Sequence, residues 1–191
     1  MKFIAVCVKI ICKEGKQWTA VMGDLGMFQI GEKVMYGVHG VCLVAAQEVK
    51  QVAHKTVTYL VLEPLGKDSA RYLVPVQNPA ALAKLRRMLS REELYGMLES
   101  QEVKAGLWVE QENLRKQSYR ELISGTDTFA LMQAIYAAYR HREAQAAARK
   151  KLHQCDENFL RDAEKVLVEE IALVLDLTQS EAKQLLRSKL Q

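Results

Sequence analysis

The chain has 191 residues, room for one large domain or two small ones. Hydrophobic residues make up 49% and charged residues 26%, which excludes a disordered chain, and a net charge of +4 is too mild to imply nucleic acid by itself. The cysteines, Cys7, Cys12, Cys42 and Cys155, form no C-x-x-C pair and no histidine pair complements them, so no metal site is expected and a reducing cytoplasm is.

The opening MKFIAVCVKIIC resembles a secretory leader only faintly, because Lys9 interrupts the apolar run and no small-residue cleavage site follows. No segment reaches the roughly 18–20 apolar residues of a membrane span. Residues 1–26 fit neither pattern that follows and are expected to form an appendage outside the core fold, either an added β segment or a stretch that precedes the true start at Met27.

From Met27 to about Pro75 short β runs alternate with glycines and polar groups: Lys33 to Tyr36, Val41 to Val49, Thr56 to Leu62 and Arg71 to Val76. Strands this closely spaced predict a small, bent, antiparallel barrel. YGVHG should turn the chain between the first two strands, since glycine reaches positive φ at little steric cost. His39 then sits in a turn with no carboxylate near it in sequence to orient it.

From about Ala80 the apolar period lengthens toward that of a helix. Ser90 with Glu93, and Thr178 with Glu181, have capping-box spacing, and Ser124-Gly125 reads as a helix stop. Phe129, Met132, Ile135, Tyr136 and Tyr139 share one helical face; Phe159, Leu160, Ala163, Val166, Leu167 and Ile171 share another. The expected fold class is α+β: a β-barrel followed by a compact helical bundle, with domains at 27–99 and 100–191.

Catalytic patterns are missing: no G-x-x-x-x-G-K-[ST], no G-x-G-x-x-G, no G-x-S-x-G and no H-E-x-x-H. No enzyme, cofactor or small-molecule substrate is expected, although an active site assembled in space from His39 or His54 and carboxylates would escape such a reading. Charge says more. Residues 115–151 hold eight Lys/Arg against three Asp/Glu, whereas residues 156–181 hold eight acidic and two basic residues. The basic segment can track phosphates, or pair with the acidic helix after it. Trp108 precedes Arg115, Lys116 and Arg120. Its two readings are a core anchor and an apolar wedge for a minor groove.

MFQIGEKVMYGVHGVCLV resembles the opening of the CarD/CdnL family of bacterial transcription regulators, whose pattern is filled here by Phe28, Gly31, Glu32, Val34, Tyr36, His39 and Gly40. YLVLE, LVPVQN, LR at Leu85-Arg86, ISG at Ile123 and AEKVLVEEIALVLDLTQSEAKQLL follow in the family's order, so the resemblance spans Met27 to Leu186. It implies a Tudor-like RNA polymerase-interacting domain that adds its sheet edge to the polymerase β subunit, and a helical domain that touches promoter DNA at the upstream edge of the bubble. The polymerase-binding residues it suggests are Lys50, Tyr59, Arg71, Leu73 and Pro75; the DNA-binding residues are Trp108, Arg115, Lys116 and Arg120. The chain departs from the family at Gly37, where a proline is usual, and at Leu73, where a basic residue is common and Arg71 would substitute. The family's wedge position falls on Gln111, three residues after Trp108.

The resulting expectation is a cytoplasmic, non-enzymatic regulator that docks on RNA polymerase, makes weak, context-dependent contact with promoter DNA and modulates open-complex stability. The alternatives are a polymerase-binding adaptor or competitor without a DNA wedge, and a Tudor-like interaction module unrelated to transcription.

Overall fold

A computed structural model describes residues 8–11, 17–20, 28–66, 70–106 and 108–191. Strands β1 (Val8–Ile11) and β2 (Gln17–Ala20) pair antiparallel as a sheet of their own. The rest of the first 27 residues, with Cys7 and Cys12, lies outside the described residues.

The next four strands are β3 (Lys33–Tyr36), β4 (Val41–Val52), β5 (Lys55–Pro64) and β6 (Tyr72–Pro75). A short helix α1 (Pro79–Leu82), capped by Asn78, leads to β7 (Leu85–Arg87). All five strands form one antiparallel sheet in the order β6-β5-β4-β3-β7. Strand β7 stands where helical periodicity was expected: three residues are too few to show a period of two. No pairing joins β6 to β7 among the described residues, so the bent sheet keeps two edges, at β6 and at β7. A register shift between Val44 and Ala46 marks a bulge, which bends β4.

Strands β4 and β5 form a long hairpin reversed by Ala53 and His54, whose φ values are 48° and 62°. Two positive φ angles are what a two-residue type I′ turn needs, normally from Asn-Gly. Val34, Cys42, Val44, Leu60, Leu62, Val74 and Leu85 pack the core on one face of the sheet.

Six helices follow: α2 (Arg91–Glu99), α3 (Gln101–Ala105), α4 (Glu112–Ser124), α5 (Thr128–Ala147), α6 (Gln154–Leu175) and α7 (Gln179–Leu190). Both capping boxes are present, at Ser90–Glu93 and Thr178–Glu181. Helix α4 stops at Ser124, but Gly125 is extended (φ −85°) rather than left-handed. Glycine is required there by space, since a Cβ would lie 2.8 Å from the Glu121 carbonyl oxygen.

The central helix α6 buries Phe159, Leu160, Ala163, Leu167 and Ile171 against Met132, Ile135 and Tyr139 of α5 and Ala182 and Leu186 of α7. Leu94 and Leu98 of α2 are fully buried in this same helical core. Packing therefore assigns α2 to the bundle, and the two cores separate near Met88–Ser90, about ten residues before the boundary expected at 99/100. We place the domain boundary there.

The two halves meet along α6. Met35, Val41 and Val166 form a small shared core flanked by Met88. Beside it the Arg86 guanidinium donates two hydrogen bonds, both 2.6 Å, to the fully buried Glu170 carboxylate, which also accepts from Leu89 N–H at 3.0 Å. The YGVHG turn belongs to this junction. Gly40 (φ 71°) lies so close to Glu169 that a Cβ would clash with its Oε2, which accepts from Val41 N–H at 3.3 Å. Gly37 backs onto the Ser124 carbonyl. The turn thus reverses the chain and also seats the sheet on the bundle. His39 stacks on Tyr36, with ring centroids 5.1 Å apart, and meets Tyr72 at a tilt, with centroids 4.1 Å apart. Burial, then the Lys84 charge, holds its pKa below the ordinary histidine value.

Candidate functional site

Strand β6 ends the sheet. It pairs with β5 on one side, Leu60 opposite Val74 and Leu62 opposite Tyr72, and no strand covers its other side among the described residues. Just past its end Val76 N–H donates to the Thr58 carbonyl at 2.9 Å, which sets the phase of the ladder. Residues 72, 74 and 76 then turn their backbone groups toward β5, and Leu73 turns its N–H and C=O outward. Pro75, with no N–H to donate, is tolerated on such an edge, and its carbonyl accepts from Asn78 N–H at 3.1 Å. What remains is a short free edge centred on Leu73, whose side chain is 42% exposed.

Side chains alternate across a sheet. Val74, Leu60 and Leu62 face the core. The opposite face carries Leu73 and Pro75 of β6, Tyr59 of β5 opposite Pro75, and Lys50 of β4 opposite Val57. Arg71, just before β6, has the same parity and donates to Glu63 at 2.9 Å. The structure therefore brings Lys50, Tyr59, Arg71, Leu73 and Pro75 onto one face beside the free edge. Lys50 is 3.1 Å from Glu48. Exposed ion pairs such as these two contribute little to stability and release their cations readily to a partner.

The four helical candidates are divided differently. Arg115 is only 7% exposed. Its Nε and Nη2 donate to the fully buried Asp156 at 2.8 and 3.2 Å, and Nη1 donates to the Val109 and Glu110 carbonyls at 2.8 and 3.0 Å. Tyr119 adds a hydroxyl bond to Asp156 at 3.0 Å and stacks on Phe159. Burial acts to raise the Asp156 pKa, but the bonds from Arg115 and Tyr119 outweigh it and hold the carboxyl below the ordinary aspartate value. Arg115 was expected on the surface. It is an internal strut, because Asp156, 41 residues later, could not be buried without a cation.

Trp108 is half-buried against the helical core. The His141 ring stacks on it with centroids 3.9 Å apart at 15°, and the Arg115 guanidinium lies 4.5 Å from its ring centre. Lys116 pairs with Glu112 one turn back, and Arg120 is exposed. Gln111 is exposed at the start of α4. The cationic surface of α4 is thus Lys116 and Arg120, separate from the interior Trp108–Arg115 pair.

Sequence reasoning missed the edge geometry of Leu73, the two-residue turn at Ala53-His54 and the partners of Arg115. The first depends on strand order, and the last on a residue in another helix. Burial, then the nearby Glu169, pushes the Cys42 thiol pKa up to about 11, which makes it inert in the sheet core.

Residues 28–88 match the family model described as the CarD-like/TRCF RID domain. The sheet is a CarD-like domain. The match spans β3 to β7 and ends where the two cores separate. This domain gives the chain an RNA polymerase-interacting, transcription-related role, as a non-catalytic interaction module. No curated protein matches the chain significantly. No helix among the described residues is long and apolar enough to cross a membrane.

Proposed function

We propose that the CarD-like module docks on the β subunit of RNA polymerase by strand addition at β6, in the cytoplasm. The observation that carries this is the free edge at Leu73, which offers one outward N–H and one outward C=O beside an apolar face flanked by the Lys50–Glu48 and Arg71–Glu63 ion pairs. An extended partner segment pairing there gains main-chain hydrogen bonds, while Leu73, Pro75, Tyr59, Arg71 and Lys50 supply side-chain selectivity. Tethering then raises the concentration of the bundle near promoter DNA, so weak contacts from Lys116 and Arg120 suffice. Any such contact stabilises the open promoter only if it is stronger in the open than in the closed state.

The test is a binding assay between the full chain and polymerase β subunit. Wild type should bind, and Leu73→Pro should abolish binding while the protein stays folded; failure of the wild type to bind would remove the reading.

A second reading keeps docking but drops the DNA wedge. The packing of Trp108 between the core, His141 and Arg115 favours it, because a wedge needs an apolar ring free to enter a groove. Replacing Trp108 with alanine decides between them. Lost promoter opening with an intact fold supports the wedge; a destabilised bundle with unchanged opening in the surviving folded fraction supports the adaptor.

A further inference from the structure

The start of α6 lies against the start of α4, and three metal-ligating side chains meet there. Glu112 is the first residue of α4; His153 caps α6, and Cys155 is its second residue. His153 Nδ1 is 3.1 Å from Cys155 Sγ, and its Nε2 is 3.6 Å from Glu112 Oε2. One donor atom from each residue lies within 4.8 Å of the other two. The two His153 contacts use opposite ring nitrogens, and one ion takes only one of them, so the distance that counts is the 4.8 Å within which one donor atom per residue falls. Around a tetrahedral zinc-type ion, with bonds of roughly 2.0–2.3 Å, donor atoms stand roughly 3.3–3.8 Å apart, so the half-exposed His153 and Glu112 side chains must rotate inward to complete the set.

The surroundings fit. Glu112 splits its two oxygens, Oε1 toward Lys116 and Oε2 toward His153. Asp156 Oδ1 lies 3.6 Å from Cys155 Sγ, while Arg115 and Tyr119 hold that carboxylate in place. The cations Arg115 and Lys116 are thus each matched by a carboxylate, and the incoming ion meets a nearly neutral site that gains one negative charge as the thiol is deprotonated. His153 and Glu112 are about half exposed, which gives the ion an entry path and leaves water for a fourth position.

We propose that Glu112, His153 and Cys155 form a binding site for a divalent cation of the zinc class, with the ion tying the start of α4 to the start of α6. Binding forms an S–metal, an N–metal and an O–metal bond, and the thiol proton leaves to solvent. The ion would also hold the 108–111 segment, whose carbonyls bind Arg115 and which carries Trp108, so occupancy would fix the face that the bundle presents.

The test titrates the metal-free full-length protein with Co2+, whose thiolate complexes show a charge-transfer band, and follows the melting temperature with Zn2+. The expected result is a thiolate–cobalt band saturating at one equivalent and a rise in melting temperature with zinc. Cys155→Ser should abolish the band with Cys7, Cys12 and Cys42 still present. His153→Ala and Glu112→Gln, checked by circular dichroism for an intact fold, should each weaken binding at least tenfold. The absence of a band in wild type, a band that survives Cys155→Ser, or affinities unchanged in the His153 and Glu112 variants would overturn the proposal.

Discussion

The sheet and the bundle solve the problem of polar groups in opposite ways. The core of the CarD-like module is entirely apolar, and its unpaired polar groups are backbone groups left at an edge. The bundle turns polar groups inward: Arg115 and Tyr119 on Asp156, and Tyr139 and Arg187 on Glu164. The edge can bind many chains of suitable shape because main-chain bonding is indifferent to side-chain identity. The buried networks hold one arrangement, because each charge inside is tolerated only with its partner. Docking capacity therefore sits where backbone hydrogen bonds are left open at an edge, and rigidity where buried charges are paired, even though Arg187 Nε is buried without a hydrogen-bond partner.

The strongest way to break this contrast is to remove one partner of a buried pair. Arg115→Ala leaves the Asp156 carboxyl inside the bundle without its cation, and Arg86→Ala removes the cation beside Glu170 at the junction. Each is expected to cost ~3–5 kcal/mol, on the order of 10 °C in melting temperature for a chain of this size. Thermal melts by circular dichroism check this. A stable Arg115→Ala protein with altered DNA affinity would return that side chain to the surface.

Leu73→Pro probes the edge alone. It deletes an N–H that faces away from β5, so the ladder to Leu60 and Leu62 survives, and loss of docking by at least about tenfold, or ~1.4 kcal/mol, is expected with a small change in stability. Leu73→Ala, which keeps the N–H, should retain most of the affinity. Calorimetric titration against polymerase β subunit measures both.

Acid should separate the halves. In Glu164, as in Asp156, burial acts to raise the pKa, but the bonds from Tyr139 and Arg187 prevail and lower it. A carboxylate whose folded pKa is depressed contributes stability that is present above the unfolded value, ~4, and is lost as pH falls through the folded value. Among its described residues the CarD-like module buries no such carboxylate. Between about pH 5 and 2, amide exchange in α4 to α7 should accelerate before exchange in β4 and β5.

The smallest effects belong to Lys116→Ala and Arg120→Ala. Both should change stability by no more than ~0.5 kcal/mol. If either contacts a phosphate in the promoter complex, its loss reduces the salt dependence of binding by a slope of about 1. Salt titrations of the polymerase–promoter complex test this.

How much was legible in the sequence differs between the same two regions. Strands β3 to β6 announce themselves by Val, Leu and Tyr runs between breakers, and both capping boxes stand where Ser90 and Thr178 place them, because these signals involve residues within a few positions of each other. Strand β7 was hidden, as was the hairpin reversal at Ala53-His54, which does without the usual Asn-Gly. The α2 helix was assigned to the wrong neighbour, since its apolar face does not say which core it joins. Among the candidate site residues, the shared face of Lys50, Tyr59, Arg71, Leu73 and Pro75 rests on strand register, and the burial of Arg115 on a carboxylate 41 residues away.

By itself the sequence determined the α+β class, the order of sheet and bundle, the starts of α2 and α7 and the resemblance that points to RNA polymerase. These are properties of local period, capping chemistry and motif order. Only the tertiary structure decided which strand lies at the edge, where the two cores divide, that Trp108 is clasped by His141 and Arg115, and that Glu112 meets His153 and Cys155. The reason is physical: a side chain's type is written locally, but its burial and its partner depend on which distant element packs against it.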